Sequence, residues 1–178
     1  MKSTRTLLDI SDIEHIIKRM ALEIIEAHKS LNKVALIGIH TRGVYLAKRI
    51  QELISNTESI ELPTGAVDIN LYRDDWTRIG HYPTVRKTDI SFDVDNKQII
   101  LIDDVLYTGR TIRAAMDALV DFGRPARIEL AVLIDRGHRE LPIQANFTGK
   151  FIQTAPDEAV PVLLSECDEA DRVDLVTG

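Results

Sequence analysis

Asp103 and Asp104 stand side by side at the end of an apolar run, "QIILIDD", and a turn of Tyr107, Thr108, Gly109, Arg110 and Thr111 follows after a two-residue spacer. Adjacent carboxylates repel, and a place at the end of a buried strand deepens the penalty. The pair therefore implies a positive or hydroxyl-rich partner. Ionised aspartate is acceptor-only, so the two cis hydroxyls of a ribose match the pair, and Mg2+ would relieve the repulsion directly or through water. The Thr-Gly turn joins a strand to a helix start. Free N–H groups there favour phosphate, threonine hydroxyls add donors, and Gly109 lets the backbone come close. Together the strand end and the turn suit a ribose 5-phosphate. A plain helix cap by Thr108 or Thr111 would account for the turn but leaves the acids unexplained.

Two further strand ends carry chemistry. "VALIGI" (34–39) leads into Thr41, Arg42 and Gly43, a turn able to hold a second anionic group. "RIELAVLID" (127–135) leads into "RGHRE" (136–140). The elements that position these turns can be read from pattern. Residues 9–30 have the helical spacing of Ile10, Ile13, Ile17, Met20, Ile24 and Ala27, with Ser11 and Glu14 as a capping box. Helices are expected over 43–54 and 111–123, the latter stopped by Gly123. Strands are expected over 34–39, 67–72, 98–103 and 127–135, with weaker signals near 150–152, 160–164 and 173–176. Residues 73–90 are polar and aperiodic, a length that suits a lid or binding loop. Apolar strands alternating with helices predict a parallel sheet in an α/β fold. Ligands bind outside the carboxyl ends of such strands, so all three turns should gather on one edge.

The run "IILIDDVLYTGRT" resembles the 5-phosphoribosyl-1-pyrophosphate (PRPP) motif of type I phosphoribosyltransferases. More narrowly, "GIHTRGVYLAKRI", "DINLYRDD", "DDVLYTGRTIRAAMDALVDFGRPARI" and "LAVLIDRGHRELPI" are similar to the PyrR family, pyrimidine operon regulators with uracil phosphoribosyltransferase activity. The resemblance runs over nearly the whole chain. It implies a type I phosphoribosyltransferase fold, a mainly parallel central sheet flanked by helices with a small hood, as one domain over 1–178. It also implies roles. Asp103 and Asp104 would hold the ribose hydroxyls and organise Mg2+. The backbone of Val105, Leu106, Tyr107, Thr108, Gly109, Arg110 and Thr111 would hold the 5′-phosphate, and Thr41 and Arg42 the pyrophosphate. Residues 73–86, with Arg73, Arg78 and His81, would form the closing loop, and Arg86 would touch a substrate phosphate. Arg136 and the backbone near Val160 would face uracil. The implied reaction is uracil plus PRPP giving UMP and pyrophosphate. The PRPP motif by itself would equally suit a purine salvage enzyme, and only "DRGHRELPI" speaks against that.

PyrR proteins also bind the leader of pyrimidine mRNA when UMP is present. Candidate RNA contacts are Lys18, Arg19, Arg139 and Lys150. The chain departs from RNA-binding relatives at Gln144, where Arg is common, and at Leu22 and Ala27, where polar or basic residues are. Homodimers or higher oligomers are expected.

Composition agrees with an enzyme of this kind. No apolar stretch reaches membrane-spanning length, and Cys167 is the lone cysteine, which together suggest a soluble cytoplasmic protein without an internal disulfide. Net charge is −6, but residues 156–178 hold seven acids against one base, so the rest of the chain is neutral and can present a local basic patch. His15, His28, His40, His81 and His138 show no metal-ligand spacing, so a zinc site is not expected.

Overall fold

The computed structural model describes residues 3–70, 72 and 87–178. Eight strands and three α-helices are described. They are β1 (Ser3–Leu8), α1 (Ile10–Ala27), β2 (Val34–Ile39), α2 (Arg42–Glu58), β3 (Thr64–Val67), β4 (Gln98–Leu106), α3 (Arg110–Val120), β5 (Arg127–Asp135), β6 (Phe147–Phe151), β7 (Val162–Leu163) and β8 (Arg172–Thr177). The main sheet has the order β3-β2-β4-β5-β6, with every neighbouring pair parallel. This is the α/β architecture that the alternation of apolar strands and helices predicts.

Helices cover both faces of this sheet, and the strand period of two sorts the side chains between them. Val34, Leu36, Ile100, Ile102, Ala131 and Leu133 pack with Ile17 and Ile24 of α1 and with Leu46 and Ile50 of α2. Their chain neighbours Ala35, Ile37, Ile99, Leu101, Leu130 and Val132 pack on the other face with Ile112, Ala115 and Leu119 of α3. A second, antiparallel sheet, β1-β8-β7, joins the two ends of the chain and forms the expected small hood.

Three expectations need correction, and one strand was not foreseen. The first helix is capped by Asp9 and Asp12, not by Ser11 and Glu14. The Asp9 carboxylate accepts from Asp12 N–H at 2.9 Å, and Asp12 accepts from Asp9 N–H at 3.1 Å. The strand expected over 67–72 is instead Thr64–Val67. It stops because the Asp68 carboxylate accepts from Asn70 N–H at 3.0 Å, a side-chain turn that competes with further pairing. The helix expected to reach Gly123 ends at Val120. β1 had no local signal, since of its six residues only Leu8 is buried. Residues 73–86 of the expected closing loop lie outside the described residues. The chain re-enters at Lys87, and Asp89 exchanges two backbone hydrogen bonds with Ala66.

Candidate active site

The carboxyl ends of β2, β4 and β5 do gather. Between the first two, contact is as close as a backbone permits. A Cβ on Gly43 would collide with the carbonyl oxygen of Ile102 and come within 3.2 Å of Asp103 Cα. Only a residue without a side chain lets the Thr41–Gly43 turn lie directly on the acid-bearing strand. The His40–Thr41 peptide in this turn is cis.

Asp103 is 6% exposed, while Asp104 is half-buried. The Asp103 carboxylate accepts from Asp104 N–H at 2.9 Å, and Asp104 accepts from Val105 N–H at 2.8 Å. Burial first, and then the neighbouring Asp104 charge, push the Asp103 carboxyl well above the usual carboxylate range. No basic side chain neutralises Asp103 among the ion pairs of the described residues. Among the described residues, the charge deficit predicted from the two adjacent acids is therefore left without a basic partner at Asp103.

Past the acids, Gly109 opens α3 with φ +93, the left-handed region that suits glycine. The N-cap residue Gly109 has no side chain with which to cap this helix. Thr108 Oγ1 accepts weakly from Arg110 N–H at 3.3 Å, so the plain cap is a poor account of the threonines. The "DRGHRELPI" segment braces this turn from behind. Glu140 N–H donates to Thr108 O at 2.9 Å, and Arg110 pairs with Glu140 at 2.6 Å. Arg139 donates to Tyr107 O, Ile143 O and the Asp135 carboxylate. Its guanidinium thus holds two strand ends together.

Arg136 is 7% exposed. Its guanidinium lies 4.1 Å over the Tyr107 ring, and Nη2 donates to Glu158 O at 2.5 Å. Among the described residues, the buried Nε has no acceptor. Val160 is itself a core residue, 5% exposed, so only its backbone could face a ligand. Lys18 and Arg19 diverge. Lys18 lines a groove between α1 and α2, whereas Arg19 pairs with Glu23 and donates to Gly149 O beside Lys150 on β6. Arg73, Arg78, His81 and Arg86 lie outside the described residues.

The acidic tail, unassigned from sequence, folds back on α2. Arg42 donates to Asp168 through Nε at 3.0 Å and Nη2 at 2.8 Å. Arg49 grips Glu166 and Asp171, each at 2.6 Å. The Arg42 hydrogen bond holds the Asp168 carboxyl at about 2, and the Arg49 bond holds Asp171 at about 2.

This geometry has relatives. The phosphoribosyl transferase domain family matches residues 3–164. Proteins described as bifunctional protein PyrR are 53% identical in Desulfosudis oleivorans, over 97% of this chain and 96% of that protein, and 54% identical in Thermus aquaticus, over 98% and 97%. The chain belongs to the PyrR family of phosphoribosyltransferases. Among solved structures, a hypoxanthine phosphoribosyltransferase from Staphylococcus aureus superposes with TM-score 0.70 at 22% identity, covering 95% of this chain and 90% of that one. A hypoxanthine-guanine phosphoribosyltransferase from Bacillus anthracis gives 0.72 at 17%, covering 96% of each. At such identities these purine enzymes share the fold with the PyrR chain and speak to nothing finer. No helix among the described residues is long and apolar enough to cross a membrane.

Proposed function

We propose that this PyrR-family chain transfers the 5-phosphoribosyl group of PRPP to uracil, releasing pyrophosphate, and that the product UMP governs its binding to a pyrimidine mRNA leader. The observation that carries the catalytic half is the convergence of the adjacent acid pair, the helix start at Gly109 and the Arg42 turn on one sheet edge. Those are the three recognition elements that one PRPP molecule needs. The ribose hydroxyls donate to Asp103 and Asp104. The 5′-phosphate sits on the N–H groups of residues 105–111 with the hydroxyls of Thr108 and Thr111. The pyrophosphate meets Thr41 and Arg42.

The acid pair also fits Mg2+. Two adjacent carboxylates, one buried and short of positive charge, are hard oxygen donors. Among the described residues no third such side chain joins them, so Asp103 and Asp104 are the residues that would hold the ion. When bound, Mg2+ neutralises charge on the pyrophosphate. The chain needs no covalent nucleophile. The C1′–pyrophosphate bond loosens toward a cation-like sugar, uracil N1 closes on C1′ and its proton leaves. The residues orient PRPP, hold its departing charge at Arg42 and at backbone N–H groups, and present the buried Arg136 Nε to a uracil carbonyl. The closing loop that the resemblance implies, with Arg86, falls on residues outside the described ones.

The regulatory half rests on family membership, with Lys18, Arg19, Arg139 and Lys150 as the basic contacts. The protein works in the cytoplasm as a homo-oligomer. The test is UMP formation from labelled uracil, PRPP and Mg2+, with hypoxanthine, guanine and orotate in parallel. Reaction with uracil alone is expected. Reaction with a purine, or with no base, would overturn the uracil assignment.

A further inference from the structure

The Arg42–Asp168 pair joins residues 126 positions apart and is bidentate. Arg42 donates from its Nε–Nη2 edge, and among the described residues no hydrogen bond engages Nη1. The carboxylate that holds it is itself held. Asp168 Oδ2 accepts from Leu164 N–H at 2.9 Å and from Cys167 Sγ at 3.3 Å. The turn carrying Asp168 is pinned again about two helical turns further along α2. Arg49 binds Glu166 and Asp171 there, and Asp171 also accepts from Ser165 N–H at 2.7 Å. Asp168 is thus a rigid post built by the hood side of the fold, not a loose surface acid.

An arginine at the start of α2 with nothing beside it would sample several rotamers, and ordering it on substrate binding would cost side-chain entropy. A fork held along one edge keeps its remaining donors aimed. The Asp168 hydrogen bond first, and more weakly the Asp104 charge, make the Arg42 guanidinium hold its proton more tightly.

We propose that Asp168 is a positioning residue for the pyrophosphate arm: it holds Arg42 by one edge so that the free Nη1 side meets the pyrophosphate of PRPP. The proposal rests on the reading of Arg42 given above. It makes the tail turn 164–171 part of the PRPP site without requiring Asp168 to touch substrate.

The test compares Asp168→Asn and Asp168→Glu with the unaltered protein. Asp168→Asn keeps the shape and loses the charge. The KM for PRPP should rise about 10-fold, the size expected when a charge-assisted hydrogen bond is lost, and inhibition by pyrophosphate should weaken alike. The KM for uracil should stay within about 2-fold. Asp168→Glu should recover part of the loss. A double-mutant cycle separates positioning from folding. Because Asp168 acts through Arg42, Asp168→Asn should add nothing to the PRPP defect of Arg42→Ala. Unchanged PRPP and pyrophosphate constants in Asp168→Asn would overturn the proposal. So would a fully additive cycle, or a lowered KM for PRPP, which would make Asp168 a competitor of pyrophosphate. Calorimetric titration with PRPP and Mg2+, without any nucleobase, reads the same difference. A protein that binds PRPP but does not use uracil would defeat only the uracil assignment. Failure to bind PRPP at all would defeat both.

Discussion

Gly43 and Asp103 are neighbours by backbone: the point where a side chain on Gly43 would begin lies 3.2 Å from Asp103 Cα. The turn expected to hold pyrophosphate and the strand end expected to hold ribose are separated by the width of a missing methyl group. Gly43→Ala should therefore cost about 1–3 kcal/mol of stability, as overpacking does, and raise the KM for PRPP by moving the Arg42 turn off β4. Thermal unfolding with steady-state kinetics checks both. A variant with ordinary stability and ordinary KM would mean that the turn adjusts freely.

Asp103 should limit stability while serving the reaction. Its carboxyl is raised by burial and by Asp104, so the native state binds its proton more tightly than the unfolded chain does. Stability from this group is present at pH values below the ordinary carboxylate range and is lost as pH rises through the raised value. Asp103→Asn escapes that loss. With metal removed by chelator, it should melt at least a few degrees higher than the unaltered protein at pH 8, the gap closing below about pH 4. Turnover of the same variant should fall by about 10²-fold or more. Adding Mg2+ and PRPP should raise the melting temperature of the unaltered protein more than that of the variant. A variant less stable at pH 8 would contradict this account.

Arg136 carries a buried Nε that finds no acceptor among the described residues, with its guanidinium stacked on the Tyr107 ring. An unsatisfied buried donor costs about 1–3 kcal/mol, a cost that a bound carbonyl would relieve. Arg136→Lys keeps the charge but cannot offer the Nε donor. kcat/KM for uracil should drop by roughly 10-fold or more, while calorimetric affinity for PRPP stays within about 2-fold. Equal losses on both substrates would assign Arg136 to the scaffold.

Much of this was legible in the chain. β2, β4 and β5 are apolar runs, and each ends in the residues that line the site edge. The acid pair and the Thr-Gly turn sit within nine consecutive positions, so their proximity needs no folding to be inferred. Local competition misled the reading elsewhere. Asp9 and Ser11 both suit a helix cap, and the backbone geometry at Asp9 selected it. "VDINLY" has strand composition, yet the Asp68 side-chain turn ends the strand at Val67.

What the amino-acid sequence determined by itself was the period of each element and the chemistry of each turn, because both are carried by neighbours in the chain. The tertiary structure alone decided which charges meet. Arg139, in the sequence simply a base, meets Asp135 and three backbone carbonyls. The acidic tail, readable as a solvated run, supplies Asp168 to Arg42 and Asp171 to Arg49. An ion pair leaves no periodic trace in sequence, since its energy depends on distance in space and not on separation along the chain.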